Sequence, residues 1–369
     1  MKRLLRVILL VLVGAGAAAG ALAWHALETF RRTPHGASQP TIVEIPAGAS
    51  AHAVVRALAR AGVLSDERLA WWYVRWVRRD HRPFRAGEYE FEGPLQPDDV
   101  LERVWRGEVL LHRFTVPEGL RMDEIADIVG RSGLARAEDF LAVARDPATA
   151  RALGVPFSNL EGFLFPDTYA FPRTATAHDI AAAMVARFRT EYEAASAARG
   201  PAVSLDEGQA ATLASIVEKE TGQPDERPRI ACVFHNRLRL GMRLQTDPTV
   251  MYATMLRTGR WSKNISKADL VAAHPYNTYT TGGLPPGPIA NAGAAALHAA
   301  LAPAECKDLY FVSRNDGTHV FCPDLACHAA AVRTWQVEFF RRRRTGTQPP
   351  GSPSRALAQR ASPRGKAAR

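Results

Sequence analysis

The chain alternates between apolar stretches with helical or strand-like spacing and polar stretches rich in glycine and proline. Its first apolar stretch, Val7–Trp24, carries no charge and has the 18 residues that a helix needs to cross a bilayer. A stretch with Pro34, Gly36 and Ser38 follows, and we interpret residues 25–40 as a linker. The pattern therefore predicts a single N-terminal transmembrane helix followed by a folded part.

Short strands and helices are predicted between residues 41 and 113. Two alternating segments are typical of strands, and Ser50 and Ser65 each precede a helical pattern. The helix after Ser65 carries apolar residues at helical spacing, which predicts that they face the core. These residues are Leu69, Trp72, Tyr73, Trp76 and Val77. An exposed aromatic platform for a sugar is the alternative for the two tryptophans.

Helices and a hairpin are predicted in the second part of the chain. Helical periodicity is present near 178–198, 205–221 and 225–240, and polar loops follow. The tripeptide Asn315-Asp316-Gly317 between two strand-like runs predicts a hairpin turn. The sequence thus predicts a mixed α+β fold in two parts on a single anchor.

The excess of positive charge is concentrated at the two ends of the chain. The formal net charge is +10, but residues 341–369 carry nine Lys/Arg and no acid, and three more basic residues lie within residues 1–6. Removing these twelve positive charges leaves −2 for residues 25–340, so no net basic field attracts nucleic acid. The basic tail, rich in Pro, Gly and Ser, is expected to be disordered. The basic residues before the anchor at 7–24 predict a cytoplasmic N-terminus with the rest outside, and a cleaved signal peptide is the alternative.

The cysteines and histidines show no metal-binding spacing. Cys232 lies in an apolar helical run, and we expect it to be buried and free. If this part of the chain lies outside the cytoplasm, a disulfide among Cys306, Cys322 and Cys327 is an alternative to free thiols. Because the histidines are scattered and no phosphate-binding loop is present, no metal or cofactor is predicted. The absence of a nucleophile elbow argues against a Ser/His/Asp hydrolase.

Two glutamates flank a lysine in "ASIVEKET", residues 214–221. On a helix, Glu220 falls on the same face as Leu213 and Val217, whereas Glu218 points about 160° away. Apolar surroundings disfavour the charged carboxylate and raise its pKa, as a general acid requires. A buried acid paired with an arginine is the alternative. Because the two carboxylates diverge, they do not flank one scissile bond, and we expect one carboxylate to serve alone.

Polar loops follow this helix in the sequence. Residues 236–250 and 274–293 combine Asn, Gln, Thr and Tyr with Gly and Pro. Such loops suit a neutral polar ligand such as a sugar, whose hydroxyl and acetamide groups need paired donors and acceptors. A polar turn scaffold without a ligand is the alternative.

Five segments of the chain form a specific set of motifs. They are "LEGFLFPDTY" (160–169), "ASIVEKET" (214–221), "FHNRLRLGMRLQTDPTVMY" (234–252), "YNTYTTGGLPPGPIANAG" (276–293) and "LYFVSRNDGTHVF" (309–321). In this order they closely resemble the bacterial endolytic murein transglycosylases, the YceG-like family. The resemblance extends from the anchor to about residue 340 and leaves out only the basic tail.

The resemblance implies a bacterial inner-membrane protein with a LysM-like subdomain, at 41–113, before a periplasmic lytic-transglycosylase-type catalytic domain, at 114–340. It implies cleavage of the bond between N-acetylmuramic acid and N-acetylglucosamine in nascent peptidoglycan strands, with 1,6-anhydro ends. The expected partners are glycan strands and the peptidoglycan synthases (penicillin-binding proteins). The resemblance also implies that Glu220 is the catalytic acid and that Glu218 is a supporting or solvent-side residue.

Six further residues are expected to contact the substrate. They are Gln245, Asp247, Tyr276, Asn277, Tyr279 and Arg237. For Arg237, a structural ion pair is the alternative to binding a lactyl or peptide carboxylate. Two rival functions stay open, namely a lysozyme-like hydrolase that uses Asp247 as a second carboxylate and a non-catalytic wall-binding scaffold.

Overall fold

The computed structural model of the protein describes residues 2–36, 38–78 and 82–344. The chain divides into two compact units. The first consists of Met1–Arg113 and Ala170–Ala175, and the second of Phe114–Tyr169 and Thr176–Arg369. The basic tail that was expected to be disordered lies, from residue 345 onward, outside the described residues.

The first helix, α1 (Lys2–Arg32), extends beyond the apolar run. Its stretch Arg3–Arg32 is long and apolar enough to cross a membrane. The helix continues past Trp24 because Phe30 is buried in the core of the first unit, where its ring centroid lies 6.1 Å from that of Tyr73. The first half of the stretch interpreted as a linker is therefore helical.

A two-stranded sheet and several helices form the rest of the first unit. Strand β1 (Thr41–Ile45) pairs antiparallel with β2 (Gly87–Phe91), which places Val43 opposite Tyr89. The helices are α2 (Ala51–Arg60), α3 (Glu67–Trp72) and α4 (Pro97–Arg106), with a π-helical segment, Tyr73–Arg78, directly after α3. Their apolar faces and the sheet enclose one hydrophobic core.

The segment formed by α3 and the π-helix buries fewer aromatic residues than its spacing predicts. Tyr73 is buried, but Trp72 and Trp76 are 57% and 53% exposed. The change to a π-helix alters the periodicity at Tyr73, and the inward positions are Ala70, Tyr73 and Val74. The prediction that Trp72, Trp76 and Val77 face the core is therefore wrong, since Val77 is exposed as well.

Helices dominate the second unit. They are α5 (Met122–Ser132), α6 (Ala137–Arg145), α7 (Pro147–Ala152), α8 (Ala177–Ala197), α9 (Glu207–Glu220), α10 (Arg227–Arg239), α11 (Asp247–Thr258), α12 (Lys267–Val271), α13 (Ala294–Leu301), α14 (Leu325–Val332) and α15 (Phe339–Arg344). A 3₁₀ turn at Pro224–Glu226 and a π-helical segment at Arg333–Glu338 complete the helical elements described. Strand β3 (His112–Thr115) pairs with β4 (Thr168–Phe171). The three helices predicted near 178–198, 205–221 and 225–240 are confirmed as α8, α9 and α10.

Helix α9 is a core helix that contacts α10, α11 and α13. Small residues at 210, 211, 214 and 215 let neighbouring helices approach closely, and every residue from Ala210 to Val217 is buried. The predicted one-sided apolar face is therefore wrong, because α9 is covered on all sides over most of its length. Its helical spacing consequently does not distinguish Glu218 from Glu220.

The predicted hairpin is present near the end of the second unit. Strand β5 (Tyr310–Ser313) pairs antiparallel with β6 (His319–Cys322), and Asn315 in the turn has a φ of 63°. This left-handed conformation is one that asparagine tolerates better than most residues. The predicted hairpin is confirmed.

Two disulfides tie the second unit together. One joins Cys232 of α10 to Cys306, which follows α13, and the other joins Cys322 of β6 to Cys327 of α14. The expectation that Cys232 is free is wrong, because the fold brings Cys306 to it across 74 positions of sequence. The apolar run around Cys232 predicts its burial, which is confirmed, but a local pattern does not indicate a partner so distant in sequence.

Candidate active site

Glu220 is the last residue of α9. The helix begins after the cap Asp206, whose carboxylate accepts a hydrogen bond from the Gln209 N–H at 2.8 Å, and it ends where Thr221 adopts an extended backbone. The Glu220 carboxyl therefore lies at a helix C-terminus, where unsatisfied carbonyl oxygens disfavour negative charge. Burial is the main cause that raises the pKa of Glu220 to about 7, and the negative charge of Asp247 adds to the rise.

Thr246 fixes the Glu220 carboxyl. Its hydroxyl donates a hydrogen bond to Oε1 of Glu220, and this bond and the charge of Arg237 oppose the rise in pKa. The Thr246 N–H donates to the Thr278 hydroxyl at 3.1 Å, and the Thr246 carbonyl accepts from the Thr249 hydroxyl at 2.7 Å. The hydroxyl oxygens of Thr249 and Thr278 are 2.8 Å apart. This cluster of three buried threonines therefore holds a hydroxyl donor against Glu220.

Gln245 and Asp247 flank Thr246 in the chain, and both are exposed. Gln245 has a φ of 52°, a left-handed conformation that is uncommon for a residue with a Cβ and is often found at functional sites. Asp247 begins α11 and accepts a hydrogen bond from the Tyr279 hydroxyl at 2.6 Å. Three of the predicted substrate contacts thus lie around the residue that holds Glu220.

Asn277 and Tyr276 take part in the packing of their own loop. The Asn277 amide nitrogen lies 2.8 Å from the Ala272 carbonyl oxygen and also contacts the carbonyls of Asp269 and Leu270. Its amide oxygen accepts from the Tyr279 N–H at 3.0 Å. The Tyr276 ring packs beside that of Tyr252, with centroids 5.0 Å apart. Asn277 therefore acts structurally by shaping the loop that carries Tyr279.

Arg237 is buried and serves as an anchor for backbone. Its Nε donates to the Leu309 carbonyl at 2.7 Å, and its Nη1 donates to the Leu244 carbonyl at 2.6 Å. The guanidinium also lies over the Tyr310 ring, 5.1 Å from the centroid. Arg237 thus ties the segment that precedes Thr246 to α10 and to the start of the β5–β6 hairpin.

Glu218 is enclosed by the protein, so the expectation that it could be a solvent-side residue is wrong. Its side chain is 7% exposed and forms an ion pair of 2.8 Å with Arg227, which is also buried. The second carboxylate oxygen accepts from the Gly293 N–H at 3.2 Å. Burial raises the pKa of Glu218, whereas the charge of Arg227 acts against the rise. Glu218 is therefore a structural link between α9, α10 and the start of α13.

A second polar link lies directly after Glu220. The Thr221 hydroxyl contacts a carboxylate oxygen of Glu226 at 3.5 Å, and the same oxygen lies 2.6 Å from Nδ1 of His319 on β6. The other carboxylate oxygen of Glu226 accepts from the His319 N–H at 2.8 Å. These bonds attach the C-terminal end of α9 to the β5–β6 hairpin.

Glu161 forms a third link, within the first quoted motif. Its Oε1 accepts from the Met122 N–H at 3.0 Å and from the Asn291 side-chain amide at 2.9 Å. Burial raises the pKa of Glu161 to about 8. The Asn291 amide oxygen also accepts from the Leu164 N–H at 2.8 Å, so two motifs that are far apart in sequence are locked together.

No role was predicted from the sequence for Thr246, Glu226, His319 or Glu161, although all four lie near or within the polar motifs. The only sequence signal for the threonine cluster was the repeated threonine in "QTDPT" and "TYTT". Among the described residues, no group of three or more His, Cys, Asp or Glu side chains could hold a metal ion. The site offers a carboxyl that is partly protonated near neutral pH, beside exposed polar groups, which suits proton transfer.

The similarity of this chain to known proteins agrees with the chemistry of the site. The model of the YceG-like family matches residues 43–334. A relative from Bacillus subtilis (strain 168), named endolytic murein transglycosylase, is 32% identical over 306 residues, which cover 78% of this chain and 83% of the relative. A Streptococcus pneumoniae (D39) protein of the same name is 30% identical over 305 residues, and the chain spans only 54% of its length.

A solved structure is also similar to this chain. The crystal structure of a YceG-like protein from Listeria monocytogenes has a TM-score of 0.50 and 31% sequence identity. The match covers 80% of this chain and 99% of that protein.

Proposed function

The chain belongs to the YceG-like family, and from this premise we propose that it is an endolytic murein transglycosylase that cleaves peptidoglycan glycan strands. The observation that carries the proposal is the Glu220 carboxyl at the end of α9. Its pKa is raised to about 7, so it exists in both protonation states near neutral pH. A hydroxyl from Thr246 is fixed against it. One such carboxyl can act first as an acid and then as a base.

Glu220 in its protonated form donates the proton to the glycosidic oxygen as the bond from that oxygen to the anomeric carbon of N-acetylmuramic acid breaks. The carboxylate that forms retains the hydrogen bond from Thr246. Glu220 then takes the proton of the 6-hydroxyl of the same sugar, whose oxygen bonds to the anomeric carbon and closes the 1,6-anhydro ring. No water is consumed, so a second carboxylate to activate water is not needed.

The side chains of Gln245, Asp247 and Tyr279 are proposed to contact the sugar. Gln245 and Asp247 are exposed on either side of Thr246, and the Tyr279 hydroxyl is held by Asp247 at 2.6 Å. We propose that Tyr276 and Arg237 contribute indirectly by shaping the loop and by fixing the segment before Thr246.

The site is proposed to work outside the cytoplasm. Helix α1 is suited to anchor the chain in a membrane, and the two disulfides favour an oxidising compartment such as the periplasm. The N-terminal basic residues favour a cytoplasmic N-terminus. We propose that the first unit is the LysM-like part and the second the catalytic domain, and that the enzyme acts beside peptidoglycan synthases to end strand elongation.

A lysozyme-like hydrolase is the second candidate, because Asp247 is an exposed carboxylate near Glu220 and influences its pKa. In that reaction, Asp247 would stabilise or bond to the anomeric carbon and water would produce a reducing end. The two candidates therefore differ by one water in the mass of the product.

The test uses the full chain in detergent or nanodiscs with uncrosslinked glycan strands, and new ends are identified by mass spectrometry. We expect anhydro ends from the wild type and a loss of rate of about 10²–10⁴-fold in Glu220→Gln. Glu207→Gln, at the other end of α9, is the matched control and should retain activity. Reducing ends that disappear in Asp247→Asn would establish the hydrolase, and equal rates for wild type and Glu220→Gln would refute the assignment of Glu220. No new ends from either protein would leave the non-catalytic scaffold.

A further inference from the structure

The first unit exposes a pair of tryptophans that its core does not use. Trp72 and Trp76 are 57% and 53% exposed, and their ring centroids are 6.2 Å apart. The Arg75 guanidinium lies 5.1 Å from the Trp76 ring centroid. Large aromatic side chains exposed next to each other commonly mark a binding surface. We call Trp72, Arg75 and Trp76 the tryptophan patch.

The position of the patch along α1 follows from contacts within the first unit. Tyr73 packs against Phe30 of α1, and Tyr73 and Val77 together line a small cavity with Trp24, Leu27, Glu28 and Arg31. The π-helical segment therefore lies beside residues 24–31 of α1, directly after its apolar run. Since a helix rises about 1.5 Å per residue, the distance along α1 from Phe30 to Trp24 is about 9 Å.

Trp24 is the last residue of the uncharged stretch and marks the expected boundary between the hydrocarbon core and the headgroups. Trp76 precedes Val77 by one residue and therefore lies beside the stretch of α1 from Trp24 to Arg31, which is about two helical turns long. Tryptophan is enriched at this level of membrane proteins because its ring is apolar and its N–H seeks a hydrogen bond. Arginine beside it suits the phosphates of anionic lipids.

We propose that the tryptophan patch inserts into the headgroup region of the membrane that α1 crosses. The closeness of the π-helical segment to the end of the apolar run of α1 favours lipid over a glycan as the partner of the patch, although exposed aromatic rings also suit sugars. The inserted patch is a second attachment point beside α1 and restrains the first unit against rotation about the helix. The inference rests on the membrane anchorage that forms part of the proposed function.

The test is quenching of tryptophan fluorescence by lipids brominated near the headgroup, with the full chain in nanodiscs. The contribution of each site is the difference between the wild type and a Trp→Phe variant, which removes the fluorophore but keeps an aromatic ring. The variants are Trp24→Phe, Trp72→Phe/Trp76→Phe and, as the matched control in the second unit, Trp335→Phe. The patch contains two of the three tryptophans expected at the interface, so the double variant should lose roughly two thirds of the quenching.

Trp335→Phe should leave the quenching unchanged, and Arg75→Gln should reduce the additional quenching seen with anionic lipids. The inference is overturned if the double variant retains all the quenching while Trp24→Phe removes it, since α1 would then be inserted without the patch. A response of Trp72 and Trp76 to soluble glycan strands but not to brominated lipid would also overturn it, in favour of a sugar platform. If Trp24 also shows no quenching by brominated lipid, α1 is not inserted, and the proposed membrane anchorage itself fails.

Discussion

Thr246→Val tests the assignment of Thr246 as the group that sets the acidity of Glu220. The substitution preserves the shape of the side chain but removes the hydroxyl that donates to the Glu220 carboxylate. This hydrogen bond stabilises the ionised form, so its removal leaves burial and the charge of Asp247 to raise the pKa further. The pKa of Glu220 is therefore expected to rise in Thr246→Val.

The size of the expected rise in the pKa of Glu220 follows from the usual contribution of a hydrogen bond to a charged group. Such a bond contributes about 1.5–3 kcal/mol, and one pKa unit corresponds to about 1.4 kcal/mol. The pKa of Glu220, about 7 in the wild type, should therefore rise by about 1–2 units in Thr246→Val. The maximal rate should fall by about 10–100-fold, because the carboxylate formed in the first proton transfer loses the same stabilisation.

The assay is the initial rate of release of new glycan ends as a function of pH, read as the alkaline limb of kcat/KM. We expect this limb to move to higher pH in Thr246→Val and to stay near that of the wild type in Thr246→Ser, which keeps the hydroxyl. An alkaline limb that moves to lower pH, or is equal in all three proteins, would refute the role given to Thr246. A limb that is absent in the wild type would refute the role given to Glu220.

Three further predictions concern stability, measured by thermal or urea unfolding. Since the folded pKa of Glu220 exceeds its usual 4.5, Glu220 should contribute a loss of stability of up to about 3 kcal/mol as pH rises from 4 to 8, in addition to the loss from Glu161, whose pKa is also raised. Glu220→Gln should remove the Glu220 part of the loss and leave the rest; equal pH slopes in the two proteins would contradict this. Glu218→Gln leaves Arg227 buried with a weaker partner and should lower the free energy of unfolding by about 3 kcal/mol. The paired change Glu218→Leu/Arg227→Met should restore part of this loss. An undiminished melting temperature in Glu218→Gln would argue against a structural ion pair. Cys232→Ser/Cys306→Ser opens a loop of 74 residues and should lower the free energy of unfolding by about 4 kcal/mol. Removal of the Cys322–Cys327 disulfide, which closes a loop of only five residues, should lower it by about 2 kcal/mol. The reverse order of the two losses would contradict the dependence on loop length.

Several elements could be predicted from local patterns, but the start of α11 (Asp247–Thr258) lies within the stretch 236–250 that was interpreted as a loop. The turn at Asn315–Gly317 and the helices α8, α9 and α10 follow from turn chemistry and periodicity, which act between neighbours in sequence. The same patterns failed at Trp72 and Trp76, because a π-helical segment changes the spacing on which the prediction depended. A local pattern cannot indicate that the helix type changes within a run.

The sequence by itself determined that Glu220 is the candidate acid, through the motifs in which it lies, and that the chain begins with a helix suited to a membrane. Only the tertiary structure decided how that acid is tuned. Thr246 is 26 residues away in sequence, Cys232 meets Cys306 across 74 positions, and the Asn277 amide is used by its own loop. The reason is physical: periodicity reports which side of an element is apolar, whereas hydrogen-bond partners and desolvation depend on which distant segments the fold packs around it.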